Sequence, residues 1–251
     1  MSKDSKDSKG SECSTPKERG RRGRRGRHAR SEAAFPRQGP NRKRRKRILI
    51  VCEGTQTEPR YFTWLCRHWR LKVTTDVEVV GEKCGNAPIS VVECAVDRKK
   101  KAKRQDERAG FDRKEAGFAH VWCVFDVEEK GKNESIHRAR NKAKDNEVEC
   151  ALSNPSFELW FLYHYEETSR PFKNAKEVIK ALKKHVGDYD KASFATDRRE
   201  DLIENLEKAM KRSKRVLKEA EKHSEDPLLE CSATNVHELV ELLKNPADSS
   251  S

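Results

Sequence analysis

Two short apolar runs, each ending in acid, constrain the fold of this chain more than any other feature. Ile48-Leu49-Ile50-Val51-Cys52 leads into Glu53-Gly54, and Val121-Trp122-Cys123-Val124-Phe125 leads into Asp126-Val127-Glu128. An apolar run of that length between turn signals reads as a strand buried on both faces. Such strands belong to parallel sheets covered by helices, which carry their functional groups just beyond the carboxyl ends of the strands. If the two strands are neighbours, Glu53, Asp126 and Glu128 converge. Three carboxylates in one place repel each other unless a cation joins them, and an all-oxygen set suits a hard ion such as Mg²⁺ or Mn²⁺. The plainer alternative is that the acids cap the following helices or face water.

The rest of the chain fits around these strands. Thr55-Gln56-Thr57-Glu58-Pro59 opens a helix, with Thr55 and Glu58 at capping-box spacing and Thr57 or Glu58 as the alternative cap, because residues before proline avoid the α region. Tyr61, Phe62, Leu65 and Trp69 then recur at helical spacing. Val77–Val80 reads as a second strand. Ile89–Val92 starts a helix that becomes basic at Arg98–Arg104, a run that reads first as a solvated face. Val148–Leu152 reads as a fourth strand, preceded by a helix carrying Ile136, Ala139 and Ala143 that Asn133 or Ser135 can cap. Asn154 as cap with Pro155 at the first helical position predicts a helix from about Pro155, with Phe157, Trp160, Phe161 and His164 on one buried stripe. Glu158 lies beside that stripe, where it reaches the strand-end acids or simply favours the helix N-terminus. His164 reads as a core histidine. Helical patterns follow over Ala175–His185, Asp197–His223 and Asn235–Leu243. Strands alternating with helices predict an α/β fold: a mostly parallel sheet layered by helices, with a helical C-terminal portion.

Charge separates a tail from this body. The net charge is +13, yet residues 1–47 hold 18 Lys and Arg against 5 Asp and Glu, while residues 48–251 hold 37 of each. The tail is nearly free of apolar residues and is expected to be disordered. Its two basic blocks, with Arg21, Arg22, Arg24 and Arg25 in the first and Arg44 and Arg45 in the second, suit nucleic-acid phosphates without reading sequence. A solubilising extension is the competing reading. No run of 18 apolar residues and no apolar leader is present, so neither a membrane span nor a secretory signal is expected. The eight cysteines show no zinc spacing, and a reducing, cytoplasmic setting is the expectation.

Ile48–Phe62, Val124–Glu129, Ser153–Phe161 and, more weakly, Thr234–Val240 together resemble the RloB-like family, a branch of the Toprim fold, over roughly 48–245. The resemblance implies a Toprim-like α/β domain over 48–165, a helical extension over 166–245 and a short disordered end over 246–251. Toprim domains use a Glu after the first strand and Asp-x-Asp after the third, usually to hold Mg²⁺. Glu53 matches the first and Asp126 the second, whereas Glu128 stands where the pattern has Asp. The family is linked to bacterial anti-phage defence by abortive infection, and some members work beside a partner ATPase as a nuclease.

Three functions are open at this level. A metal-dependent nuclease would use Glu53 as ligand or base, Asp126 and Glu128 as ligands with Glu158 as a further candidate, and Lys130 and Lys132 against substrate phosphates. Its target would be DNA or RNA, tRNA included. A non-catalytic nucleic-acid-binding or assembly component would bind through the tail alone. A nucleotide-handling enzyme is disfavoured, since neither GxxxxGK[ST] nor GxGxxG occurs, so any ATP hydrolysis would belong to a separate subunit.

Overall fold

The computed structural model describes residues 45–71, 75–81, 84–85, 87–127 and 133–246. The basic tail up to Arg44, Glu128, Lys130 and Lys132 lie outside the described residues. Four strands, β1 (Lys46–Cys52), β2 (Thr75–Val80), β3 (His120–Asp126) and β4 (Glu149–Ser153), form one parallel sheet in the order β2-β1-β3-β4. The two acid-ended strands are neighbours, with Ile50 opposite Trp122 and Cys52 opposite Val124. The chain runs from β1 to β2 on one side, while β3 lies on the other. The carboxyl ends of β1 and β3 therefore flank the switch point, where open α/β sheets form their crevice.

Side-chain alternation explains the layering. Ile48, Ile50, Cys52, Trp122, Val124 and Ala151 face one side, and there they pack with α1 (Thr57–His68), α4 (Glu158–Tyr165), α5 (Ala175–Val186), α8 (Leu206–Ala220) and α10 (Val236–Lys244). Leu49, Val51, Val121, Cys123, Phe125 and Leu152 face the other, under α2 (Pro88–Arg108) and α3 (Asn133–Asp145). Each fully buried aliphatic or aromatic side chain contributes about 1.5–3 kcal/mol, so two continuous cores hold the sheet between them. Three short helices complete the C-terminal portion: α6 (Phe194–Asp197), α7 (Arg199–Glu204) and α9 (Pro227–Glu230).

Several boundaries differ from the sequence reading for physical reasons. The body starts before residue 48, because Arg47 is held by Asp106 at 3.2 Å and by Asp76 at 3.9 Å, with its guanidinium over Phe118. Residues 197–223 do not form one helix but break into α7 and α8 at Asn205. The helix expected from Pro155 starts only at Glu158. Asn154 does not cap it: its side-chain amide donates to Leu229 O at 2.8 Å, and its backbone N–H donates to Ala233 O. Nor does α4 have a single stripe, since every residue from Glu158 to His164 is buried between the sheet side and the helices α5 and α8. Phe157, Trp160 and Phe161 are buried as expected. Cys84 and Cys94 are joined by a disulfide, a pairing that the scattered spacing of cysteines did not signal.

The outer rim of β4 is closed by two polar side chains. Leu152 N–H donates to Asn235 Oδ1 at 2.8 Å, and Asn235 Nδ2 donates to Cys150 O at 3.0 Å, so this side chain imitates the amide of a neighbouring strand. Thr234 Oγ1 donates to Leu152 O at 2.7 Å, and Thr234 bridges Ser153 in antiparallel sense.

Candidate active site

Glu53 is the first residue past β1, and its N–H still donates to Val124 O at 2.9 Å, which extends the ladder by one rung. Its carboxylate turns toward β3, where the Asp126 N–H donates to Glu53 Oε2 at 3.3 Å. Asp126 closes β3 opposite Ser153. The register of two parallel strands thus brings Glu53 and Asp126 to one point.

Two further carboxylates arrive from helix starts. Glu58, second residue of α1, is buried, and its carboxylate folds back on the turn that follows β1. A Cβ on Gly54 would lie 2.3 Å from Glu58 Oε2, so any larger residue there would push the Glu58 carboxylate aside. Gly81, at the exit of β2, is also hemmed in: a Cβ there would lie 2.2 Å from Pro59 Cγ and 2.8 Å from Gly54 O. Glu158, first residue of α4, is 1 % exposed. Its Oε1 accepts from the Tyr189 hydroxyl at 2.9 Å and pairs with Lys191 Nζ at 3.3 Å.

The segment between α5 and α6 carries Tyr189 and Lys191. It is fixed to α1, because Thr57 Oγ1 donates to Lys191 O at 3.2 Å and Arg60 Nη1 donates to Ala192 O. Packing of the Tyr189 ring on Phe194, and of Phe194 on Phe161, seats it further. The Lys191 side chain stays half exposed and faces a cleft of about 850 Å³ that Glu53, Glu58 and Asp126 also line.

Crowded carboxylates perturb each other. Burial pushes the Asp126 carboxyl well above its usual range, with Glu58, Glu158 and Glu53 adding repulsion and the Phe157 amide opposing it. Burial also raises Glu58, against the pull of its own amide, and Glu158 adds to the rise while Lys191 and the Gly54 amide oppose it. Burial alone would lower Lys191, but Glu158, Asp126 and Glu58 outweigh it and keep the ammonium charged. Asp126 Oδ1 is buried without a hydrogen-bond partner among the described residues.

Of the residues expected at this site, Glu53 and Asp126 meet at the end of the sheet, and Glu158 stands close enough to act on Asp126. Glu158 is engaged by Tyr189 and Lys191 rather than standing open. Glu128, Lys130 and Lys132 lie outside the described residues, among which no three His, Cys, Asp or Glu are grouped to hold a metal ion. Glu58 and Lys191 were not anticipated in these places. Glu58 reads in the sequence as a helix-start acid, and its proximity in the chain to Glu53 was the only signal. Lys191 lies far along the chain in a charged turn and gives none.

The family model described as RloB-like protein matches residues 48–243. No curated protein and no solved structure matches the chain.

Proposed function

The chain belongs to the RloB-like protein family, and from that premise we propose that it is a metal-dependent nuclease cleaving phosphodiester bonds in nucleic acid. The observation that carries this reading is the crowding of carboxylates at the ends of β1 and β3. Glu53, Glu58 and Glu158 all press on Asp126 there, Lys191 answers Glu58, Asp126 and Glu158, and Asp126 Oδ1 is buried without a partner among the described residues. An oxygen-only donor set with an orphaned oxygen fits Mg²⁺ or Mn²⁺. Mg²⁺ commonly takes one or two carboxylates and completes its shell with waters and substrate phosphates, so Glu53 and Asp126 suffice, with Glu128 as a third donor in the segment just after Asp126. When bound, such an ion neutralises phosphate charge and makes a water more acidic.

The chain's own residues supply the rest. The Asp126 N–H orients the Glu53 carboxylate where the cleft begins. Lys191, half exposed and held by Glu158, reaches the cleft as a charged donor for a phosphate oxygen. Tyr189 fixes Glu158 and thereby the ammonium. Glu58, pushed towards its neutral form by burial, is suited to hold a proton beside Glu53. A role in anti-phage defence, cytoplasmic location and an ATPase partner extend the family premise and belong to the same proposal.

A non-catalytic nucleic-acid-binding component is the second reading, favoured by the lack of a three-ligand group among the described residues. Incubating plasmid DNA, bulk RNA and tRNA with the protein, with Mg²⁺, Mn²⁺ or chelator, separates the two. Cleavage that needs the ion and disappears in Asp126→Asn supports the nuclease; intact substrates under every condition, with binding retained, support the scaffold.

A further inference from the structure

We propose that the C-terminal half of α2 is a second nucleic-acid contact, a ridge that grips the phosphate backbone of a duplex or stem at the end of the sheet opposite the cleft. It rests on the nuclease reading only for the class of ligand. Lys100, Lys101, Lys103, Arg104, Arg108 and, just beyond the helix, Lys114 are all exposed. None of the six makes an ion pair among the described residues, whereas their neighbours Arg98 and Lys99 are taken by Glu78 and Glu147. Lys100, Arg104 and Arg108 follow one another at a spacing of four, so they form a line rising about 6 Å per step. Like charges at that spacing weaken a helix, and none of the three makes an ion pair among the described residues; a polyanion laid along the line would relieve the repulsion.

Position strengthens the case. Asp106, inside the ridge, clasps Arg47 at 3.2 Å, so the first strand begins beside the last turns of α2. The first turn of the same helix, at Pro88 and Ser90, lines the carboxylate cleft. Arg104 lies 16 residues beyond Pro88, which is about 24 Å along the helix axis. At about 3.4 Å per step of duplex, a nucleic acid of roughly seven base pairs spans the two. The ridge therefore favours a structured substrate longer than that, held at one end of α2 and processed at the other.

Binding is measured on the full chain in chelator, so that turnover plays no part, with a dye-labelled duplex of about 20 base pairs over a salt series. Neutralising the ridge by Lys100→Gln, Arg104→Gln and Arg108→Gln should make the slope of log K against log salt shallower by roughly two to three, at about 0.9 per neutralised phosphate. Melting temperature should not fall, since only exposed, mutually repelling charges are removed. Lys176, Lys180 and Lys184 on α5 share the spacing of four and serve as the comparison. An unchanged slope in the ridge variant, or an equal change when the three α5 lysines become glutamine, overturns the proposal. So does wild-type binding to phosphatidylserine vesicles with none to the duplex. If the ridge variant alone shifts while the wild type never cleaves, the ridge stands and the nuclease reading falls.

Discussion

Asp126 is the residue on which the site turns. A carboxyl whose folded pKa is raised contributes stability at low pH that is lost as pH rises through that folded value. At neutral pH the ion-free protein therefore carries an electrostatic penalty, which Asp126→Asn removes without changing volume. We expect that variant to melt no lower than wild type in chelator and to lose most of the stabilisation that Mg²⁺ gives by mass action. Equal Mg²⁺ responses in the two proteins would remove Asp126 from the ion site. His164 behaves in the opposite sense. Its Nδ1 lies 3.0 Å from Trp160 O, and burial pulls its pKa down to about 4 from an ordinary 6.5. Unfolded chains bind that proton first, so the stability His164 contributes is complete above pH 6.5 and drains as pH falls towards 4. The gap corresponds to about 3 kcal/mol. Urea unfolding at neutral pH and near pH 4.5 should show wild type weakening more than His164→Gln; parallel losses would assign the acid sensitivity elsewhere.

At the scale of elements, α4 and the Thr234-Asn235 segment are the sharpest tests. Trp160 is fully buried within the larger core, so Trp160→Ala should cost about 3–5 kcal/mol in denaturant unfolding. A loss well under 1 kcal/mol would contradict its burial. Asn235→Ala leaves the Leu152 N–H and the Cys150 O without these partners, and each buried orphan costs about 1–3 kcal/mol. The effect should appear as faster amide exchange in β4 before global melting shifts. The strands were legible because burial on both faces writes itself as continuous apolar runs, while the pairing of β1 with β3, which the acid ends only suggested, is set by the sheet register. What stayed hidden was set by long-range partners. Asn154 looks like a helix cap until Leu229 and Ala233 claim it, and Asn235, read only as the start of the last helical stretch, turns its side chain to the edge of β4. Lys191 reaches the carboxylates only through the fold of the segment after α5. Local pattern cannot report an interaction made across such sequence separations.

The whole molecule divides by charge, and the division predicts how it meets polyanions. Because Lys46 opens β1 and Arg47 is bound to Asp106, the tail should be cut after Arg44 rather than after Arg47. Removing 1–44 should leave the melting temperature unchanged and flatten the salt dependence of nucleic-acid binding, by about 0.9 for each phosphate that the tail neutralises. An unaltered slope would confine binding to the body. The helices of the described residues include none long and apolar enough to cross a membrane.

Asn235 has a consequence for assembly as well. A sheet grows by adding chains at its rims, and indefinite growth needs two open ones. Here one rim is occupied from within by an amide side chain that satisfies the backbone as a strand would, which leaves the rim at β2 among the described strands. Strand addition can therefore happen once and must stop there, so a pair of copies is the largest object that this sheet can build by edge pairing. Replacing Asn235 would free only part of that rim, since Thr234 still bonds Leu152 O and bridges Ser153.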